Sequence, residues 1–328
     1  MTNPSQPVKS FVVLHDGASD AAPLQGAVLA IGNFDGVHRG HRAVIAAALA
    51  RARALRRPAA ALTFEPHPAA VLRPAEPLFR LTDEMAKLRL LAATRLDGAI
   101  VLKFDPALAA LSPEEFVSRI LVGRYALAGA AIGFDFHFGK NRMGSPVFLV
   151  AEGEKRGFAA DVLPPLQDEG RPVSSGTIRA ALAAGRVVEA AELLGYPWFV
   201  SGLVIPGDKR GRDLGYPTAN LKLDPACGLK HGIYAVRVGL GERRYDAVAS
   251  FGRRPMFDNG EPLLEVFLFD FDGDLYGKAI DVAFLAWIRH EMKFDSVDSL
   301  VRQMGEDSAR AREALARSSG AFPALGEL

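Results

Sequence analysis

One cysteine, Cys227, stands among 328 residues, so no internal disulfide framework can form and a packed thiol in a reducing compartment is expected. Long apolar runs are also missing. No stretch reaches the roughly 18 apolar residues of a spanning helix, and the start shows no charged-then-apolar leader, so neither a membrane span nor a secretion signal is expected. Charge of one sign is lacking as well: Lys+Arg number 39 and Asp+Glu 38, with no long run of either. Nothing therefore recommends a nucleic acid or a membrane as partner. The reading is a cytoplasmic protein acting on small molecules, with self-association left open. Its length is enough for two domains.

Short apolar runs alternate with helical stretches from Gly26 to about Leu163. Strands are expected at 27–31, 59–64, 98–104, 130–134 and 159–163, and helices near 41–56, 82–95, 112–125 and 146–156, with Thr82 and Ser112 as cap-like openers. This alternation implies a doubly wound parallel sheet with ligands at the carboxyl ends of its strands. Those ends carry Asn33-Phe34-Asp35, Glu65-Pro66-His67-Pro68 and Asp135-Phe136-His137-Phe138-Gly139. After Gly195-Tyr196-Pro197 the rhythm changes to strands at 198–205, 232–240, 244–250, 263–271 and 277–286, then a helix at 297–316. That pattern suggests an antiparallel barrel with a terminal helix packed outside. The domains expected are thus 10–195 and 196–328.

Ile31-Gly32-Asn33-Phe34-Asp35-Gly36-Val37-His38-Arg39-Gly40-His41 joins a buried strand to a helix and reads as a nucleotide phosphate site. Backbone N–H groups and the helix dipole favour an anion there, and His38 and His41, three residues apart, share one face. Their imidazoles can donate hydrogen bonds to the charge that builds on phosphate oxygens when an α-phosphate is attacked. Taken alone, His-x-Gly-His fits a turn with two incidental histidines equally well. The longer run resembles the flavin-adenylylating members of the nucleotidylyltransferase superfamily. The likeness continues through 64–68, 133–139 and Val173-Ser174-Ser175-Gly176-Thr177-Ile178-Arg179, in the order found in the adenylyltransferase domain of bifunctional prokaryotic flavin synthetases. It implies attack by the phosphate of FMN on the α-phosphate of ATP, giving FAD and pyrophosphate, with Gly32, Asn33, Phe34, Asp35 and Gly36 at the nucleotide. Asp135 either meets a ribose or a phosphate-bound magnesium ion, or caps a turn. Ser174 and Ser175 either cap the following helix or bind phosphate, two compatible roles. Arg179 can fork onto phosphate oxygens, although an exposed arginine on a helix is the commoner situation. The family usually has threonine where Gly176 stands, so a hydroxyl contact is lost or passes to Thr177.

The second segment carries Gly211-Arg212-Asp213-Leu214-Gly215-Tyr216-Pro217-Thr218-Ala219-Asn220-Leu221, of which Pro217-Thr218-Ala219-Asn220 resembles the hallmark of riboflavin kinases. Thr218 and Asn220, two apart on an extended backbone, can offer neutral oxygens to a Mg2+ ion that carries ATP phosphates. Gly207, Gly211 and Gly215 allow a loop to approach those phosphates. Glu265 is the only charge in the apolar run 263–269, on a face shared with Phe267 and Phe269, where a carboxylate costs desolvation energy without partners or a task. The resemblance assigns it the role of general base for the riboflavin 5′-hydroxyl; an exposed strand-edge glutamate is the alternative. Phe267 and Ser250-Phe251-Gly252 depart from a histidine and an Asn-x-Gly common in the family. Arg289 and Phe294 either border the isoalloxazine or form the hinge into the terminal helix. A bifunctional enzyme using ATP, riboflavin and FMN is thereby implied, with flavins as substrate and product. Two alternatives stand beside it: a single-activity nucleotidylyltransferase with a flavin-capturing barrel, and a non-catalytic flavin-binding sensor.

Overall fold

The structure is a computed structural model that describes residues 10–16, 22–168, 170–207, 214–253, 262–318 and 320–328. The chain forms two compact units, one from Met1–Leu78, Thr82–Val173 and Ala324–Leu328, the other from Phe79–Leu81 and Ser174–Pro323.

The first unit holds strands β1 (Val12–His15), β2 (Val28–Ile31), β3 (Ala59–Glu65), β4 (Gly98–Lys103), β5 (Gly129–Gly133) and β6 (Ala159–Leu163). All pair in parallel in the order β1-β4-β3-β2-β5-β6. β2 is buried along its whole length and β3 up to Glu65, as strands covered on both faces must be, so their small apolar residues run unbroken. The helices are α1 (Arg39–Leu55), α2 (Pro68–Leu72), α3 (Glu84–Ala92), α4 (Pro106–Ala109), α5 (Pro113–Glu115) and α6 (Pro146–Arg156); α5 runs directly into a π-helix, Phe116–Arg124. From β2 the sheet grows toward β3 and from β5 toward β6, so the order reverses between β2 and β5. Open parallel sheets bind ligands outside the carboxyl ends at such a point. The loops after β2 and β5 are those that carry Asn33–Asp35 and Asp135. A short hairpin, β7 (Gln167–Asp168) with β8 (Arg171–Pro172), follows β6.

Two expectations change here. Strand β1 was not legible, because a four-residue edge strand with only Leu14 buried gives no alternation to read. Asp83, rather than Thr82, caps α3, its Oδ1 accepting from Ala86 N at 2.7 Å.

The second unit begins with α7 (Ser175–Ala183) and α8 (Val187–Leu194). It continues as β9 (Phe199–Leu203), β10 (Ala219–Lys222), β11 (Gly232–Leu240), β12 (Arg243–Arg253), β13 (Pro262–Leu268) and β14 (Ala279–Arg289), antiparallel in the order β10-β13-β12-β11-β14-β9. Ile205 N donates to Asn220 O at 2.9 Å in an isolated bridge, which draws the two edges together and nearly closes the barrel. Interior positions such as Leu221, Tyr234, Val236, Phe251, Leu264 and Val266 are inaccessible to solvent or almost so.

The terminal helix α9 (Val297–Arg317) packs on β11, β12 and β14. Ser296 and Ser299 form its capping box. At its other end the buried Arg237 donates to Leu315 O, Ser318 O and Ala321 O while paired with Asp246 at 2.8 Å. Helix-terminal carbonyls left without intrahelical donors are thus satisfied by a cation of the sheet.

Candidate active sites

The loop after β2 is strained. Phe34 and Val37 adopt φ of 51° and 34°, and Gly36 one of 81°, so two residues with side chains occupy a region L-residues avoid. Such a loop persists only if its surroundings hold it. Asp35, 4% exposed, accepts from Thr82 N at 3.0 Å and from Thr82 Oγ1 at 3.4 Å. Gly36 N donates to Thr82 Oγ1 at 3.1 Å, and Asn33 O accepts from Thr63 Oγ1 at 3.1 Å. Asp35 is therefore turned onto the segment before α3, while Gly32 opens the loop and Phe34 fills the space beneath it, 1% exposed.

The loop delivers the chain to His38, the N-cap of α1, whose Nδ1 accepts from His41 N at 3.2 Å. A neutral His38 that caps in this way carries its proton on Nε2. The His38 and His41 rings stack with centroids 3.5 Å apart and planes 15° from parallel, and Phe34 meets His41 edge-on at 5.3 Å. His41 Nδ1 is enclosed without a hydrogen-bond partner. Burial above all, then His38 and then Lys87, hold the His41 imidazole well below the usual histidine range. It is uncharged at neutral pH.

Lys87, on α3, escaped the sequence reading. Its ammonium lies in the unit's interior, paired with Glu65 Oε1 at 2.7 Å and donating to Thr63 Oγ1 at 3.2 Å and Phe64 O at 3.3 Å. The run holds two cations, Lys87 and Arg89, and only Lys87 is buried with Ala86, Leu88, Leu90 and Leu91, so spacing alone gave little signal. After β5, Asp135 is exposed in the turn that follows Gly133, and its carbonyl lies 2.9 Å from His137 Nδ1.

Ser174, Ser175, Thr177 and Arg179 belong to the second compact unit. Ser174 caps α7, its Oγ accepting from Thr177 N at 3.1 Å and lying 2.9 Å from Thr177 Oγ1. Ser175 is the first helical residue. Arg179 is half-buried, with its Nε donating to Phe79 O at 2.6 Å.

In the barrel, antiparallel register sets Glu265 of β13 directly opposite Asn220 of β10 on one side and Ser250 of β12 on the other. Residues opposite one another share a face, so Asn220, Glu265 and Ser250 form one row, on the face away from the solvent-inaccessible interior. Glu265 is half-buried and Asn220 is 5% exposed. Asn220 Nδ2 donates to Thr218 O at 3.4 Å. Gly207 packs against that amide: a Cβ there would lie 2.4 Å from Asn220 Nδ2. Gly215 turns with φ of 82°; Gly211 lies outside the described residues. Phe267, on the same face as Glu265, meets Tyr216 edge-on at 5.0 Å.

Arg289 is engaged by the terminal helix. Its Nε and Nη2 donate to the two Asp307 oxygens at 2.8 and 2.6 Å, and its Nη1 to His290 O at 2.7 Å. Its guanidinium carbon stands 6.0 Å from the centre of the Phe294 ring. Among the described residues no three His, Cys, Asp or Glu side chains gather as a metal-binding cluster.

The sequence model of the FAD synthetase family matches residues 20–177, and that of riboflavin kinase matches residues 194–315. The bifunctional riboflavin kinase/FMN adenylyltransferase of Escherichia coli strain K12 is 40% identical over 293 residues, which are 89% of this chain and 94% of that protein. The proteins of the same description from Pseudomonas fluorescens and Bacillus subtilis strain 168 are 38% and 36% identical, over 90% and 87% of this chain and 95% and 91% of their own lengths. A Streptococcus pneumoniae crystal structure described as a macrolide-efflux protein has the same fold, with a TM-score of 0.81 and 32% identity over 92% of this chain and 99% of that one. Among the described residues here, no helix is long and apolar enough to cross a membrane.

Proposed function

This chain belongs to the bifunctional riboflavin kinase/FMN adenylyltransferase family, and from that membership we propose how its residues divide the two reactions. The enzyme phosphorylates riboflavin with ATP to FMN, and adenylylates FMN with a second ATP to FAD and pyrophosphate. Residues 10–195 carry the second reaction and residues 196–328 the first, with Gly195-Tyr196-Pro197 between them; the start of the riboflavin kinase match at residue 194 supports that boundary.

In adenylyl transfer the nucleophile is the phosphate of FMN, which already bears its charge, so the protein has no proton to remove. Its work is positioning and charge stabilisation. His38, with Nε2–H left for donation by its capping bond, and His41 beside it donate to the α-phosphate oxygens as charge develops. The Gly32–Gly36 backbone lies along the nucleotide. Asp135 serves the ribose or a phosphate-bound ion, and Ser174, Ser175, Thr177 and Arg179 serve phosphate oxygens.

In riboflavin phosphorylation Glu265 takes the proton of the 5′-hydroxyl as it attacks the γ-phosphate of ATP. Thr218 and Asn220 offer neutral oxygens to the magnesium ion that ATP brings. The Asn220 amide nitrogen donates to Thr218 O, so its oxygen is kept as the acceptor, and hard oxygen donors suit that ion. Gly207, Gly211 and Gly215 shape the phosphate loop, and Arg289 with Phe294 borders the isoalloxazine. Balanced charge and one cysteine, buried and in no disulfide, support a cytoplasmic enzyme whose partners are small molecules.

The observation that carries this reading is the cross-strand row, which puts a carboxylate beside Asn220 across 45 residues of chain. The test is to incubate purified His41→Ala and Glu265→Gln variants with ATP and magnesium and to resolve the flavins by chromatography. His41→Ala should accumulate FMN from riboflavin. Glu265→Gln should make FAD only from supplied FMN. Loss of both products in either folded variant would overturn the division.

A further inference from the structure

An ammonium in an apolar interior is costly unless every donor is used and its charge is met. Lys87, with its side chain 3% exposed, has three N–H groups and three acceptors: Glu65 Oε1 of a carboxylate itself 11% exposed, Thr63 Oγ1 and Phe64 O. A buried pair of this kind gives no general stability advantage over apolar side chains of similar volume, which directs attention to what else it holds. Ammonium has no acceptor, so the Thr63 hydroxyl, accepting from Lys87, must send its own hydrogen elsewhere. It goes to Asn33 O at 3.1 Å. Asn33 is the residue before the left-handed Phe34, at the point where the strained loop begins.

We propose that Lys87 is a positioning residue for adenylyl transfer: through Thr63 it holds the Asn33–Val37 loop in its strained form. The proposal rests on the assignment of His38 and His41 to that reaction. The loop is clamped from two sides, by Thr82 on Asp35 and Gly36 and by Lys87 and Thr63 on Asn33. The Lys87 charge opposes a second cation at His41, which is also faced by His38 within its own turn, with Glu65 of β3 compensating Lys87 and Asp35 in the adjoining loop.

Thr63→Val keeps the shape of the side chain and removes the hydroxyl, whereas Thr63→Ser keeps the hydroxyl. Expected for Thr63→Val is a fall in kcat for FAD formation of up to about 10²-fold, the scale of a misplaced catalytic group. Thr63→Ser should stay near the parental rate, and riboflavin phosphorylation should be unchanged in both. The paired variant Lys87→Met with Glu65→Leu removes both charges without leaving one unpaired. In it the Asn33 loop loses the anchor that Lys87 supplies through Thr63, so kcat for FAD formation should fall as in Thr63→Val while riboflavin phosphorylation holds. A purely structural pair, replaced by apolar side chains of similar volume, would leave FAD formation at the parental rate.

Parental FAD formation by Thr63→Val, equal losses in the Val and Ser variants, or parental FAD formation by a folded paired variant would each overturn the proposal. If the paired variant does not fold, the Thr63 variants decide. His41→Ala is the control: if it forms FAD at the parental rate, the histidine assignment has failed rather than the role of Lys87.

Discussion

Glu265→Gln isolates proton removal from everything else the barrel does. Glu265 is half-buried on the outer face, with Asn220 opposite it on β10 and Ser250 opposite it on β12. A glutamine of the same length meets two neighbouring residues able to donate and accept. The stability cost should therefore be about one hydrogen bond, roughly 1 kcal/mol. Against a typical unfolding free energy of about 5–15 kcal/mol this leaves more than about 99% of the protein folded at 25 °C. Loss of a positioned base lowers a rate by about 10²- to 10⁴-fold, far more than any change in folded fraction. The assay is the initial rate of FMN formation from riboflavin at saturating ATP and magnesium, with FAD formation from supplied FMN measured in the same preparation. Phosphorylation should fall into that range while adenylylation holds. A folded Glu265→Gln protein that phosphorylates riboflavin at the parental rate would refute the argument and leave the carboxylate a structural member of its strand.

Three further outcomes follow from the packing. Because His41 is held below its usual pKa in the folded chain, the unfolded chain binds the extra proton below about pH 6.5, so stability should fall as pH drops through that value, by at most about 1.4 kcal/mol per pH unit; thermal melts at stepwise pH should show a shallower loss for His41→Gln, and an unchanged slope would contradict the neutral assignment. Gly207→Ala places a Cβ 2.4 Å from Asn220 Nδ2 and should slow riboflavin phosphorylation by tenfold or more, on the order of the 1–3 kcal/mol of overpacking, with adenylylation intact; parental kinase activity would mean that Asn220 can move without consequence. A fragment from Ser174 to the end should be more soluble and melt higher than one from Tyr196, because α8 buries Val187, Ala190, Leu193 and Leu194 and packs on β14; equal melting temperatures would show that α7 and α8 are dispensable to the barrel.

Local pattern alone determined much of this molecule. Unbroken small apolar runs separated by helical periodicity mark a parallel sheet, because strands covered on both faces have no polar face to show. The change of rhythm after Pro197 marks a second kind of architecture. His38 and His41 are legible because they are neighbours in sequence and a helix start brings them together, and Glu265 because it is the one charge in an apolar strand. What depends on residues distant in the chain was decided only by the tertiary structure. Strand register sets Asn220 opposite Glu265, although a shift of one residue would have sent them to opposite faces. Closure of the barrel through Ile205 and Asn220 explains why Gly207 must lack a side chain. Asp35 is legible as part of the loop motif, and only the packing shows that its carboxylate accepts from Thr82, 47 residues on. The Lys87 network joins α3, β3 and the loop after β2, and no spacing along one element records such a junction. A periodic pattern tells which face of an element is buried, but the partner that satisfies a buried charge is chosen by the packing of elements against each other.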